Sequence, residues 1–294
     1  MHYSILCKVL PCRHHRTLSS VVDCMERSTD DTARERAFVL FRMERTSADL
    51  YRLPAGFILC RGIFPMALPF VLLTAGYFYG LLKMKEDLTS VHISVLKCGP
   101  IVLLALLAIV TGRPSSYKSL IVVGLLVSAV GDFYLVWHDE VNFIKGMVAF
   151  ALAHLFYIIA FGFRGLAPIP FIVTFAMAAG ALHTILPMLD GFLFKAVPVY
   201  IVIISLMFWR SLARLHPDYD WCHVVSALGA LLFVISDFNL SLNAFYFKEP
   251  CKHGQLITMV TYYGGQLAIA LSVIDRRRLV EVHMKSIAGK SRTH

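Results

Sequence analysis

Charged residues are scarce in this chain. Asp, Glu, Lys and Arg make up 16% of its 294 residues, and hydrophobic residues make up 57%. A soluble domain carries about 25% charge. The shortage excludes an ordinary soluble fold and leaves the bilayer as solvent for most of the chain. Paired cysteine spacing is missing too: seven cysteines are present, in no pattern that reads as a disulfide framework. The cluster CKVLPCRHH fits no common zinc spacing, so no metal and no cofactor are expected. The opening MHYSILCKVLPCRHHR lacks the long apolar run and the small-residue cleavage site of a signal peptide. The formal net charge of +9 does not point to nucleic acid. The basic residues gather at the ends of apolar segments and in the tails, where the positive-inside rule puts them.

What is present is a series of apolar runs. Eight are expected to cross the membrane, at roughly 64–82, 93–112, 119–137, 145–163, 168–186, 194–213, 223–246 and 254–275. Each is near the ~20 residues that span ~30 Å of hydrocarbon as a helix. The predicted fold is therefore all-α, a polytopic, multi-pass membrane protein of eight transmembrane helices. Residues 1–62 read as a flexible cytosolic extension, 63–276 as the eight-helix transmembrane domain and 277–294 as a basic cytosolic tail. An even number of spans puts both termini on one side. Arg113, Lys118, Arg164, Arg210 and Arg214 mark alternate connections as cytosolic, and Asp139, Glu140, Asp190 and Glu249 mark the others as non-cytosolic.

The chain also repeats itself. GLLVSAVGDFYL at 124–135 matches GALLFVISDFNL at 229–240 in Gly, Leu, Asp, Phe and Leu, and places Asp132 over Asp237 at an offset of 105 residues. One span earlier in each half, KCGP at 97–100 matches KAVP at 195–198. The pattern predicts two parallel four-helix repeats related by a pseudo-twofold axis along the membrane normal. At ~1.5 Å per residue the two acids then sit ~18 and ~21 Å from the cytosolic ends of their spans, level with each other. A carboxyl group in hydrocarbon costs at least ~2.5 kcal/mol, so intramembrane acids face the protein interior and mark functional sites. Asp132 and Asp237 are the candidate catalytic pair, expected to converge across the axis. Lys97, Lys195, His154, Tyr157, Asn239, Tyr262, Tyr263 and Gln266 fall in the same slab as candidate substrate-binding or supporting residues. His154 and Tyr157, three apart, share a helix face.

GDFYLVW, FIKGMVAFALAHLFYIIAF, SDFNLSLNAF and YYGGQ resemble the YhhN-like (transmembrane protein 86 type) lysoplasmalogenase family. The resemblance covers about residues 64–275. It implies an eight-span hydrolase acting on ether bonds in the endoplasmic reticulum membrane. Such an enzyme cleaves the vinyl ether of lysoplasmalogens to a fatty aldehyde and a glycerophosphoethanolamine or glycerophosphocholine. The family's two essential aspartates match Asp132 and Asp237, and its lysine-plus-proline motif matches Lys97 and Pro100. The partners implied are a lysophospholipid substrate and membrane lipid, with a second copy of the chain as a candidate.

The chemistry suits such residues. A vinyl ether is cleaved by protonating its β-carbon, and water traps the oxocarbenium ion that results. The reaction needs a placed general acid, a base to orient the water and negative charge beside the cation. Two carboxyls supply all three, as in glycosidases. The pseudo-symmetry leaves open which aspartate is the acid. A carrier with an intramembrane acid pair is the alternative from another class, since parallel repeats and matched prolines suit a transporter as well.

Overall fold

The structure, a computed structural model, describes residues 64–83, 90–111, 114–137, 139–215, 221–247 and 253–274. The expected extension at 1–62 and the expected tail at 277–294 lie outside the described residues. Every helix described is apolar and follows the last after a short link. They are α1 (Phe64–Lys83), α2 (Ser90–Thr111), α3 (Ser116–Tyr134), α4 (Glu140–Phe161), α5 (Pro168–Ile185), α6 (Leu193–Leu212), α7 (Trp221–Ser241) and α8 (Gly254–Leu271). A 3₁₀ turn at Leu186–Met188 extends α5, and a π turn at Leu242–Tyr246 extends α7. Among the described residues six segments are long and apolar enough to cross a membrane: those of α2 through α7, with the last running Trp221–Tyr246. The chain is a helical, multi-pass integral membrane protein.

Several helices begin before the apolar run that announces them. Apolar composition was expected to start the fourth span at 145, yet α4 begins at Glu140, because Asp139 accepts the Asn142 N–H at 3.0 Å and caps it. The exposed Asp139 carboxyl also accepts the Asn142 side-chain amide, and these bonds hold its pKa below the usual carboxylate value. Ser115 caps α3 in the same way through the Lys118 N–H. Hydropathy locates the hydrocarbon, whereas capping locates the first turn.

Helices pack closely where bulk is removed. A Cβ on Gly124 would drive into the ring of Tyr157, so α3 and α4 meet with almost nothing between them. Along the same seam Phe150 packs on Gly131 and Leu135 on Gly146. The α7–α8 seam is closer still: a Cβ on Gly229 would lie 2.8 Å from the Gly265 carbonyl oxygen. Small residues at such contacts let backbones approach where no hydrophobic effect drives helices together. The remaining helix packing runs α1 on α2, α2 on α3, α5 on α6, α6 on α7, α4 on α6 and α8 on both α2 and α3.

One loop is held from below by a buried cation. Arg210, in the last turn of α6, is 1% exposed. Its guanidinium donates through Nε to the Gly162 carbonyl at 2.7 Å, through Nη1 to Gly165 at 2.8 Å and through Nη2 to Arg164 at 2.8 Å. These carbonyls lie in the α4–α5 link, at the negative end of the α4 dipole. Trp209 Nε1 adds a bond to the Ala167 carbonyl at 3.2 Å, where the backbone is left-handed (φ 40°) just before Pro168. Arg210→Lys keeps the charge and loses the planar fork. It is expected to cost roughly 2 kcal/mol, read as a lower thermal unfolding midpoint in detergent. An unchanged midpoint would show that the fork does not secure the loop.

Candidate active site

Asp132 lies in the last turn of α3 and Asp237 near the end of α7, and each has a different set of partners. The Asp132 side chain is 2% exposed. Its Oδ1 lies 3.7 Å from Lys97 Nζ on α2, and its Oδ2 accepts the Tyr262 hydroxyl of α8 at 2.5 Å. An interhelical hydrogen bond in a bilayer averages only ~0.6 kcal/mol. That falls short of the ~2.5 kcal/mol or more that burying the charge costs, so the ammonium is the decisive partner.

The polar chain continues along α8. Gln266, fully buried, donates Nε2 to the Tyr262 oxygen at 3.4 Å and accepts the Tyr157 hydroxyl at 3.0 Å. The Tyr263 hydroxyl bonds to the Lys97 backbone carbonyl at 3.0 Å. This contact sits just before Pro100, whose ring cannot donate to the preceding turn, and it fixes the backbone that carries the lysine.

The Asp237 side chain is 15% exposed, so it is the more open of the two. Its Oδ2 accepts the Tyr200 hydroxyl of α6 and lies 3.7 Å from His154 Nε2 on α4. His154 Nε2 is 3.0 Å from the Tyr200 oxygen. Tyr200 gives its proton to Asp237, so Nε2 must be the donor to Tyr200. The network thus puts a proton on Nε2. Phe233 stands between the two groups, its ring centroid 4.7 Å from His154 and 5.4 Å from Tyr262.

The structure thus brings Asp132, Lys97, Tyr157, Tyr262, Tyr263 and Gln266 into one network and Asp237 and His154 into its neighbour. It does not bring in the other two candidates. Lys195 is exposed on the first turn of α6, and the place beside Asp237 is taken by Tyr200 instead. Asn239 donates to the Gly254 carbonyl at 2.8 Å and the Thr258 hydroxyl at 2.7 Å, tying α7 to the start of α8. Tyr200 escaped sequence reasoning. Its available signal was a phenol in mid-span, which needs an acceptor once buried. Among the described residues no three His, Cys, Asp or Glu side chains converge as metal ligands.

Comparison with known proteins adds a separate line. Residues 92–273 match the YhhN family. The chain is 35% identical over 226 residues to lysoplasmalogenase TMEM86A of Homo sapiens, covering 74% of this chain and 92% of that protein. It is 36% identical over 206 residues to lysoplasmalogenase TMEM86B of Homo sapiens, covering 70% and 85%. A lysoplasmalogenase homolog of Dictyostelium discoideum is 25% identical over 210 residues, covering 57% and 67%. No solved structure matches the chain.

The two lysines separate in their expected effects. Lys97→Met strips Asp132 of its cation and is expected to cost roughly 3 kcal/mol in detergent unfolding, with much of the loss restored by adding Asp132→Asn. Lys195→Met, at an exposed position, is expected to stay within about 0.5 kcal/mol of wild type. Equal losses for the two variants would show that the Lys97–Asp132 pair carries no special weight.

Proposed function

The chain belongs to the YhhN family, and from that premise we propose that it is a lysoplasmalogenase. It is a hydrolase that cleaves the vinyl ether bond of lysoplasmenylethanolamine or lysoplasmenylcholine. The products are a fatty aldehyde and glycerophosphoethanolamine or glycerophosphocholine. Identities of about 35% across most of the chain to proteins named lysoplasmalogenase support the activity. The single observation that supports the site is a buried carboxyl, Asp132, beside Lys97 and Tyr262, with a second carboxyl, Asp237, on the far side of Phe233.

Asp132 and Asp237 act as the general acid/base pair. One donates a proton to the β-carbon, the π electrons form the new C–H bond, and the α-carbon becomes an oxocarbenium ion. The carboxylates oppose that positive charge, and water adds to the α-carbon with loss of a proton. The hemiacetal then breaks its bond to the glycerol oxygen, which is protonated as the aldehyde leaves. Lys97, His154, Tyr157, Tyr262, Tyr263 and Gln266 hold the acids in place. Lys195, exposed at the head of α6, meets the lipid phosphate. Asn239 supports the site indirectly by anchoring α8.

Eight spans, arranged as two parallel four-helix repeats, carry the pair. Helix packing supports this arrangement: α1–α2, α2–α3, α3–α4 and α8–α2 have counterparts in α5–α6, α6–α7, α7–α8 and α4–α6. So does the polar wiring. Asp132 meets α2 of its own half and α8 of the other, and Asp237 meets α6 of its own half and α4 of the other. Residues 63–276 form the hydrolase domain, 1–62 the cytosolic extension and 277–294 the cytosolic tail. The protein resides in the endoplasmic reticulum membrane with both termini cytosolic, takes its lysophospholipid from the surrounding lipid and is a candidate homodimer.

Purified protein in detergent is expected to release fatty aldehyde from lysoplasmenylethanolamine. Asp132→Asn and Asp237→Asn should each lower kcat by roughly 10²-fold or more while remaining folded. Wild-type protein without turnover in detergent, but moving solute across a sealed vesicle, would reveal a carrier instead.

A further inference from the structure

The two carboxyls differ in which of their oxygens is left free. Both oxygens of Asp132 face a proton: Oδ1 lies 3.7 Å from the Lys97 ammonium and Oδ2 accepts the Tyr262 hydroxyl, in a side chain 2% exposed. That carboxylate has no proton to give and almost no surface to offer a substrate. Asp237 has a phenol and an imidazole beside it, and no lysine or arginine within ion-pair distance among the described residues. Its Oδ2 accepts the Tyr200 hydroxyl, and the Tyr200 oxygen is 3.0 Å from His154 Nε2. Its Oδ1 accepts no hydrogen bond among the described residues, yet it is not sealed in the interior as Ser128 Oγ is. Oδ1 therefore lies at the opening of this 15%-exposed side chain. The repeat gives this arrangement to one half alone. Tyr200 follows Lys195 by five residues, whereas Val102 follows Lys97 by five. The first half turns its lysine onto the acid and has no phenol at the matching place. The second half leaves its lysine exposed and presents the phenol instead.

We propose that Tyr200 is a positioning residue that holds Asp237 Oδ2 and so reserves Oδ1 to donate the proton, which makes Asp237 the acid of the pair. The proposal rests on the lysoplasmalogenase reading and divides the roles of the two aspartates within it. Burial without a lysine or arginine suits a neutral carboxyl. In a neutral carboxyl the oxygen that accepts the phenol proton is the carbonyl oxygen, so the acidic proton sits on Oδ1. Oδ1 gives that proton to the β-carbon, the π electrons form the C–H bond, and the O–H electron pair stays on Asp237. The Tyr200 hydroxyl then bonds to a carboxylate, and such charge-assisted bonds are about twice as strong as neutral ones. Tyr200 thereby stabilises charge that appears as the proton leaves, which raises kcat and leaves substrate binding alone. Water adds to the α-carbon and loses a proton to Asp237, which regains its starting state. Asp237 passes that proton to the glycerol oxygen as the hemiacetal C–O bond breaks, and recovers one from the hemiacetal hydroxyl. Asp132 stays ionised beside Lys97 throughout, a fixed negative charge.

Rescue by an added acid separates the proton donor from the fixed charge. Purified full-length protein in detergent is given lysoplasmenylethanolamine, and released aldehyde is measured with and without formate buffer at weakly acidic pH. Asp237→Gly and Asp132→Gly should each lower kcat by roughly 10²-fold or more. Formic acid, entering at the opening left by Asp237→Gly, is expected to restore kcat at least about tenfold. The gain should follow the concentration of undissociated acid, since that form carries the proton. Asp132→Gly is expected to gain nothing from the same buffer. Tyr200→Phe should lower kcat roughly tenfold with KM within about twofold of wild type. It keeps the buried ring, removes one oxygen atom and carries the test if the glycine variants misfold. Wild-type kcat in Tyr200→Phe, or a loss confined to KM, overturns the proposal. So does a folded Asp237→Gly protein that formic acid leaves inactive, or an Asp132→Gly protein that it revives. A wild-type protein that releases no aldehyde overturns the reading beneath it.

Discussion

Hydrocarbon does not solvate a carboxylate, and the interior of this protein is organised around that fact. At Asp132 an ammonium from α2 and a phenol from α8 converge on a side chain that water scarcely reaches. At Asp237 a phenol from α6 and an imidazole from α4 do the same for an acid that keeps a partial opening. Each carboxyl thereby draws together helices distant in sequence. In a bilayer, where apolar faces gain little from meeting one another, such polar junctions and the glycine contacts between them specify which helices are neighbours.

The parts of this arrangement legible in the sequence were those that hydrocarbon makes rare. Asp132, Asp237, Lys97, His154 and Gln266 stand out because an apolar span has no ordinary use for them. The apolar runs located the helices, but their first turns at Ser116 and Glu140 were fixed by caps outside the runs, where hydropathy carries no signal. Tyr200 was illegible because hydroxyl groups are common in membrane helices, and its importance lies in a partner on another helix. Lys195 shows the converse. Its match to Lys97 in sequence is real, yet one lysine turns inward against an acid and the other stays exposed. A repeat preserves position along a helix, while the direction of a side chain is decided by what the neighbouring helix offers.

Departure from symmetry is where the chemistry gains its asymmetry. A strict twofold would give two acids in equal surroundings. Here one acid is wired to a lysine and the other to a histidine through a tyrosine.

The clasp that Arg210 forms on the α4–α5 link has a mechanical consequence. Three carbonyls and a tryptophan bond hold the link between α4 and α5 as a stiff joint. A molecule that worked by rocking one half against the other would need that joint to bend with every cycle. With the joint locked, the end of α4 and the start of α5 keep one fixed geometry at that face of the helix bundle.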